Sequence, residues 1–198
     1  MNVNKHLAST HPPRSIAALR AILAELQADC RYQENLDWGE PRSGHPEGSI
    51  RQHLDELQRN LDQLRPRVSD GHYWKLRILI HVHDSFKPDA KPGVSIEDPR
   101  SHASLARAFL AEYCVDADLL AMVQYHDEPY ALWRKSGGAG CDEKRLARLI
   151  ERIDDWDLYS AFLIIDGCAE GKSREPLVWF FRQIAGRVDT KFGTEDIL

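Results

Sequence analysis

The segment 76–88, LRILIHVHDSFKP, constrains the fold of this chain more than any other. It is an apolar run of helical length that carries His81 and His83 and ends in Asp84. A carboxylate buried without a partner costs several kcal/mol or takes up a proton. A metal ion removes that conflict, because it neutralises the carboxylate and takes an imidazole nitrogen as ligand. The plain alternative is a helix end with His and Asp in solvent. At roughly 100° per residue, His81 and His83 point about 200° apart, so His83 is read as the ligand and His81 as a core or supporting histidine.

Most of the remaining sequence reads as helix. Apolar residues recur near every 3.6 positions in SIAALRAILAELQADCRYQ, with Ser15 as cap, and in SIRQHLDELQRNLDQLR, with Ser49 as cap and Pro66 as stop. The helix over 70–84 starts from Asp70 and is apolar nearly all round, which predicts a central buried helix. Two further helices follow, SHASLARAFLAEYC and DADLLAMVQYHDEPYALWRK, then a helical region 141–186 with a break at Asp154-Asp155. No segment reads as a strand, so the expected fold class is all-α. The expected domain plan is a flexible arm over 1–14, one helical domain over 15–188 and a polar, mobile tail over 189–198.

Two loops interrupt the helices. ENLDWGEPRSGHPEGS holds His45 and Glu47, and FKPDAKPGVSIEDPR is long enough for a substrate loop. In the second, Lys87, Lys91 and Arg100 are sources of charge for a phosphate, Lys91 being read as a solvated connector residue.

A net charge of −5 argues against a protein that lives on nucleic-acid backbone contacts, though a local site on it can be positive. No apolar stretch is long enough for a membrane span, and the N-terminus lacks the apolar core of a signal peptide. A cytoplasmic location is therefore expected. Four scattered cysteines without a C-x-x-C pair fit a reduced compartment.

Asp166, in FLIIDGCA, is a second acid in an apolar setting. His53 lies beside the apolar stripe of its helix, a position where most histidines are structural. In order, His53, His83-Asp84 and Asp166 supply two imidazoles and two carboxylates from three helices. Such a set leaves open positions and suits a divalent ion, drawn from Mn, Fe, Co, Ni, Zn or Mg, better than a closed cysteine site.

This order resembles the HD-domain metal-dependent phosphohydrolases over about 45–170. His83-Asp84-Ser85-Phe86-Lys87 looks like the family's His-Asp-x-x-Lys segment, and His102 and His126 match positions where many members carry further histidines. HPEGSIRQH, residues 45–53, resembles the HD region of bacterial tRNA nucleotidyltransferases, without the nucleotidyltransferase head. Two positions depart from the pattern: Phe86 stands where a small residue is usual, and one histidine rather than two adjacent ones stands at 126.

The resemblance implies an HD-type helical bundle that hydrolyses a phosphomonoester or phosphodiester, with a nucleotide or RNA-end phosphate as substrate. His53, His83, Asp84 and Asp166 would hold the metal. Asp84 would orient or deprotonate water, and Lys87 would neutralise charge on the phosphate. His102 and His126 would bind phosphate or a second ion, with His45 and Glu47 as weaker candidates at the mouth. The expected partner is a small phosphorylated molecule, with no membrane and no bulk nucleic acid, and with self-association as in many relatives. Trp38, Tyr130 and Trp133 are stacking candidates whose ordinary use would be core packing. The alternatives are a non-catalytic metal- or nucleotide-binding module and, last, a purely structural helical protein.

Overall fold

Short polar side chains decide where the helices begin. Ser15, Ser49, Ser69 and Ser101 each accept a hydrogen bond from a first-turn backbone N–H, and Asp29, Asp116, Asp142 and Asp155 do the same. The computed structural model describes residues 15–41, 46 and 48–198. Among these, ten α-helices run α1 (Ile16–Ala28), α2 (Cys30–Asn35), α3 (Ile50–Leu64), α4 (Asp70–Val82), α5 (His102–Ala111), α6 (Ala117–Tyr125), α7 (Glu128–Ser136), α8 (Glu143–Arg152), α9 (Trp156–Gly167) and α10 (Glu175–Ile184). No strand occurs among the described residues. The fold is an all-α bundle.

The centre is the pair α4 and α9. Both lack a polar stripe: α4 buries Leu76, Ile78, Leu79, Ile80 and Val82, and α9 is buried without interruption from Leu158 to Ile165. α1, α3 and α6 pack on α4, and α3 also packs on α9. Each fully buried Leu or Phe in this cluster contributes about 1.5–3 kcal/mol relative to exposure. One apolar cluster runs from Leu19 to Phe192, so the helices share a single core.

Several boundaries differ from the sequence expectation. Ser69, not Asp70, caps α4. The first long helix is divided at Asp29, whose extended backbone ends α1 and whose side chain caps α2. α6 and α7 are separate helices that meet at His126-Asp127, with Pro129 in the first turn of α7. The C-terminal tail, expected to be mobile, is docked. Phe192 is only 4% exposed, the Arg67 guanidinium lies over its ring at 5.3 Å, and Arg67 pairs with Asp196. Asp157 adds to this hold, accepting from the Thr190 hydroxyl at 3.1 Å and the Lys191 backbone N–H at 2.8 Å. The arm over 1–14, His45 and Glu47 lie outside the described residues.

No helix among the described residues is long and apolar enough to cross a membrane. All four cysteines are free, and Cys114 and Cys168 are buried.

Candidate metal centre

Helix ends converge on one point. His83 is the C-cap of α4, His126 is the C-cap of α6, and Asp166 lies in the last turn of α9. His53 comes from the first turn of α3 and His102 opens α5. The C-terminal ends of α4, α6 and α9 carry partial negative charge, which favours a cation between them.

The two capping histidines use the same local device. His83 Nδ1 donates to the Ile80 carbonyl at 2.9 Å, and His126 Nδ1 donates to the Val123 carbonyl at 2.8 Å. Each carbonyl belongs to the last turn and lacks an in-helix donor. A carbonyl only accepts, so Nδ1 carries a proton and Nε2 is the ring atom turned to the site, where a metal ion can take the place of a proton. Both Nε2 atoms face Asp84.

Asp84 is divided between two groups. Its Oδ2 lies 3.4 Å from His83 Nε2 and 4.0 Å from His53 Nε2. Asp166 Oδ1 closes this side, 3.1 Å from His53 Nε2 and 3.7 Å from His83 Nε2. On the other side, Asp84 Oδ1 lies 3.5 Å from His126 Nε2 and 3.7 Å from His102 Nε2, and the two imidazole nitrogens face each other at 3.1 Å. Ligands held about 2.0–2.2 Å from one ion lie about 3–4 Å from each other. Each side satisfies that spacing, so His53, His83 and Asp84, and separately Asp84, His102 and His126, can hold a metal ion.

Two buried atoms test the fit. His83 Nε2 and Asp84 Oδ1 have no hydrogen-bond partner in the fold. Unmet polar atoms of this kind are uncommon in native cores, and both point where an ion would sit. The protein's own cations meanwhile offset the carboxylates: Lys87 pairs with Asp84, and Lys172 Nζ lies 2.7 Å from Asp166 Oδ1. Burial alone would push the His83 imidazole down, but Asp84 and Asp166 outweigh it and hold His83 up at about 9. Burial likewise opposes ionisation of Asp84 and Asp166, yet Lys87 and His83 on the first, and Lys172 and His53 on the second, hold both well below the usual carboxylate range. The ionised carboxylates thus draw positive charge inward, as a divalent ion would satisfy.

The residues expected at the site, His53, His83, Asp84, Lys87, His102, His126 and Asp166, are brought together. His81 is elsewhere: its Nδ1 is 2.6 Å from the Tyr32 hydroxyl and its Nε2 is 3.1 Å from the Gln27 amide. Phe86 packs on Phe109 with ring centroids 4.9 Å apart, outside the residues that line the site's cavity. Arg100 is taken up by Asp98 at 2.8 Å. Trp38 and Tyr130 are exposed, whereas Trp133 packs against the core as expected and also lines the cavity.

Two residues escaped the sequence reading. Asp127 Oδ2 lies 3.2 Å from His102 Nε2 and 3.7 Å from His126 Nε2. Its signal was available: His126-Asp127 repeats His83-Asp84 at the end of an apolar helix. Lys172 had none, since it sits in the turn after α9.

A cavity of about 460 Å³ opens on the centre. Asp84, Lys87, His126, Asp166 and Lys172 line its polar end, and Trp133, Leu163, Pro176 and Leu177 its apolar wall. Comparison with known proteins gave no matching family model, no matching curated protein and no matching solved structure.

Proposed function

We propose that the protein is a metal-dependent phosphohydrolase of the HD type acting on a nucleotide-like phosphomonoester or phosphodiester. One observation carries the reading: a single buried carboxylate, Asp84, presents each oxygen to a different pair of imidazoles at the floor of a cavity that also holds two ammonium groups. His53, His83, Asp84 and Asp166 would hold one divalent ion, and Asp84, His102, His126 and Asp127 a second. The donors suit Mn, Fe, Co, Ni, Zn or Mg. When bound, such ions supply Lewis acidity towards a phosphoryl oxygen and acidify water.

The chain's own groups do the rest. Lys87 and Lys172 stand at the cavity and neutralise charge on the phosphoryl oxygens, most where that charge grows in the transition state. Asp84 orients the attacking water and accepts its proton. The wall formed by Trp133, Pro176 and Leu177 excludes water and offers a face to a planar base.

The test is elemental analysis of the purified protein and of Asp84→Ala, together with a screen of mono-, cyclic and deoxynucleotides with added Mn, Co, Ni or Mg. The expected result is near-stoichiometric metal and phosphoester turnover, both lost in Asp84→Ala. Metal without turnover on any phosphoester would instead make this a binding module. Absence of metal and of activity after supplementation would refute the site.

A further inference from the structure

A second, larger concavity of about 1090 Å³ runs from the His102 flank of the centre across α7 and α8 to the loop after α4. Its cations outnumber its acids, and most of the acids are already committed. Glu128 is held by both arms of Arg145. Asp142 caps α8 and pairs with Lys135 at 2.8 Å. Glu97 accepts a hydrogen bond from the neutral Tyr125 hydroxyl at 3.0 Å and keeps its charge. Asp127 belongs to the metal centre.

Four cations remain without an acid partner: Lys91, Arg134, Arg148 and Arg152. All are exposed. Arg145, Arg148 and Arg152 fall three and four residues apart and so share one face of α8. The net charge of −5 describes the whole chain, whereas this face is locally positive.

The same groove carries two exposed aromatics, Trp38 at 43% and Tyr130 at 49%. Exposed aromatic faces interleaved with unpaired cations match the two needs of a single strand of nucleic acid, whose bases stack and whose phosphates need charge. An acidic polypeptide would use the cations but not the ring faces. The groove is also continuous with the metal centre: Lys87, Asp127 and Tyr130 line both it and the smaller cavity.

We propose that the groove binds a single-stranded polynucleotide and leads one of its backbone phosphoesters to the Asp84 centre. This deepens, and rests on, the phosphohydrolase reading: the substrate is a strand, held by several phosphates and at least two stacked bases, rather than a free nucleotide.

The test is fluorescence anisotropy of the full chain with labelled single-stranded RNA and DNA of about 12 nucleotides, in EDTA so that binding is read without hydrolysis. It is compared with Arg148→Gln/Arg152→Gln and with Trp38→Ala, at several salt concentrations. Each phosphate contact on a single strand contributes about 0.7 to the slope of log affinity against log salt, so the double variant should lower that slope by about 1.4. Its affinity should fall at least about tenfold at low salt, and Trp38→Ala should lower affinity about tenfold. No strand binding, unchanged affinity in both variants, or equal displacement by polyglutamate would overturn the proposal. Turnover of small phosphoesters by the wild type separates the two readings. Turnover without strand binding keeps the hydrolase and refutes the groove. Strand binding without any turnover keeps the groove as a binding surface and refutes the hydrolysis.

Discussion

Removal of Asp84 should cost the protein two ions, whereas removal of His126 should cost one. Asp84 Oδ2 faces His53 and His83, and Asp84 Oδ1 faces His102 and His126. His126→Ala leaves the first group whole. An ion present at 100 times its Kd stabilises a fold by about 2.7 kcal/mol. In a domain of this size each kcal/mol moves Tm by about 2–4 °C, so each ion should raise Tm by about 5–11 °C. Titration with Mn, followed by calorimetry with elemental analysis of the same samples, should therefore give the wild type two such increments, His126→Ala one, and Asp84→Ala none. Increments are compared rather than absolute Tm, because Asp84→Ala also strands the Lys87 ammonium. Retention of both increments in His126→Ala, or of one in Asp84→Ala, would refute the division of Asp84 between two ions.

Two further outcomes are expected. Phe162 is 1% exposed and its ring meets the His83 imidazole edge-on at 5.3 Å, so Phe162→Ala should cost about 3–5 kcal/mol in urea unfolding; a loss below about 1 kcal/mol would contradict the packing described. Burial pushes the Asp155 carboxyl up, but the His72 imidazole at 2.9 Å and the Leu158 N–H hold it below its ordinary value. A depressed carboxylate contributes stability that is present above the unfolded value near pH 4 and is lost as pH falls through the folded one. Asn still caps a helix, so Asp155→Asn should be less stable than the wild type at about pH 6, and the gap should close as pH falls through and below the ordinary carboxylate value; a gap that stays constant across that range would show that charge plays no part.

The helices were legible because their signals are local. Ser15, Ser49 and Ser101 precede apolar runs and cap them as expected. The Asp29 break carries neither Pro nor Gly, and the short α2 that Asp29 caps turns Tyr32 into the core. The centre was legible to the extent that acids stood in apolar surroundings: Asp84 and Asp166 violate the expected pattern of a buried helix, and such violations mark sites. His53 violates nothing, and entered through its order relative to the others. Lys172 and the groove cations were illegible for a different reason. A lysine in a turn or an arginine on an amphipathic helix is ordinary, and its meaning depends on which acids the fold brings near it.

That difference shows how an acidic chain could serve the anionic substrate proposed above. Many of the described acids are spent in one of two ways. Asp84, Asp127 and Asp166 gather around the metal centre, while others are consumed as helix caps or paired with bases, as Asp142 is by Lys135 and Glu128 by Arg145. Each arginine or lysine paired in this way adds nothing to the field over the groove, and each one left over counts in full at short range, because charges beyond about 8–10 Å are screened at ordinary salt. Net charge is a sum over the surface, whereas a bound phosphate responds to the four or five groups within a Debye length. Under the proposed function, the unpaired set Lys91, Arg134, Arg148 and Arg152, which lines the same groove as Lys87, would govern what approaches Asp84 whatever the sign of the total.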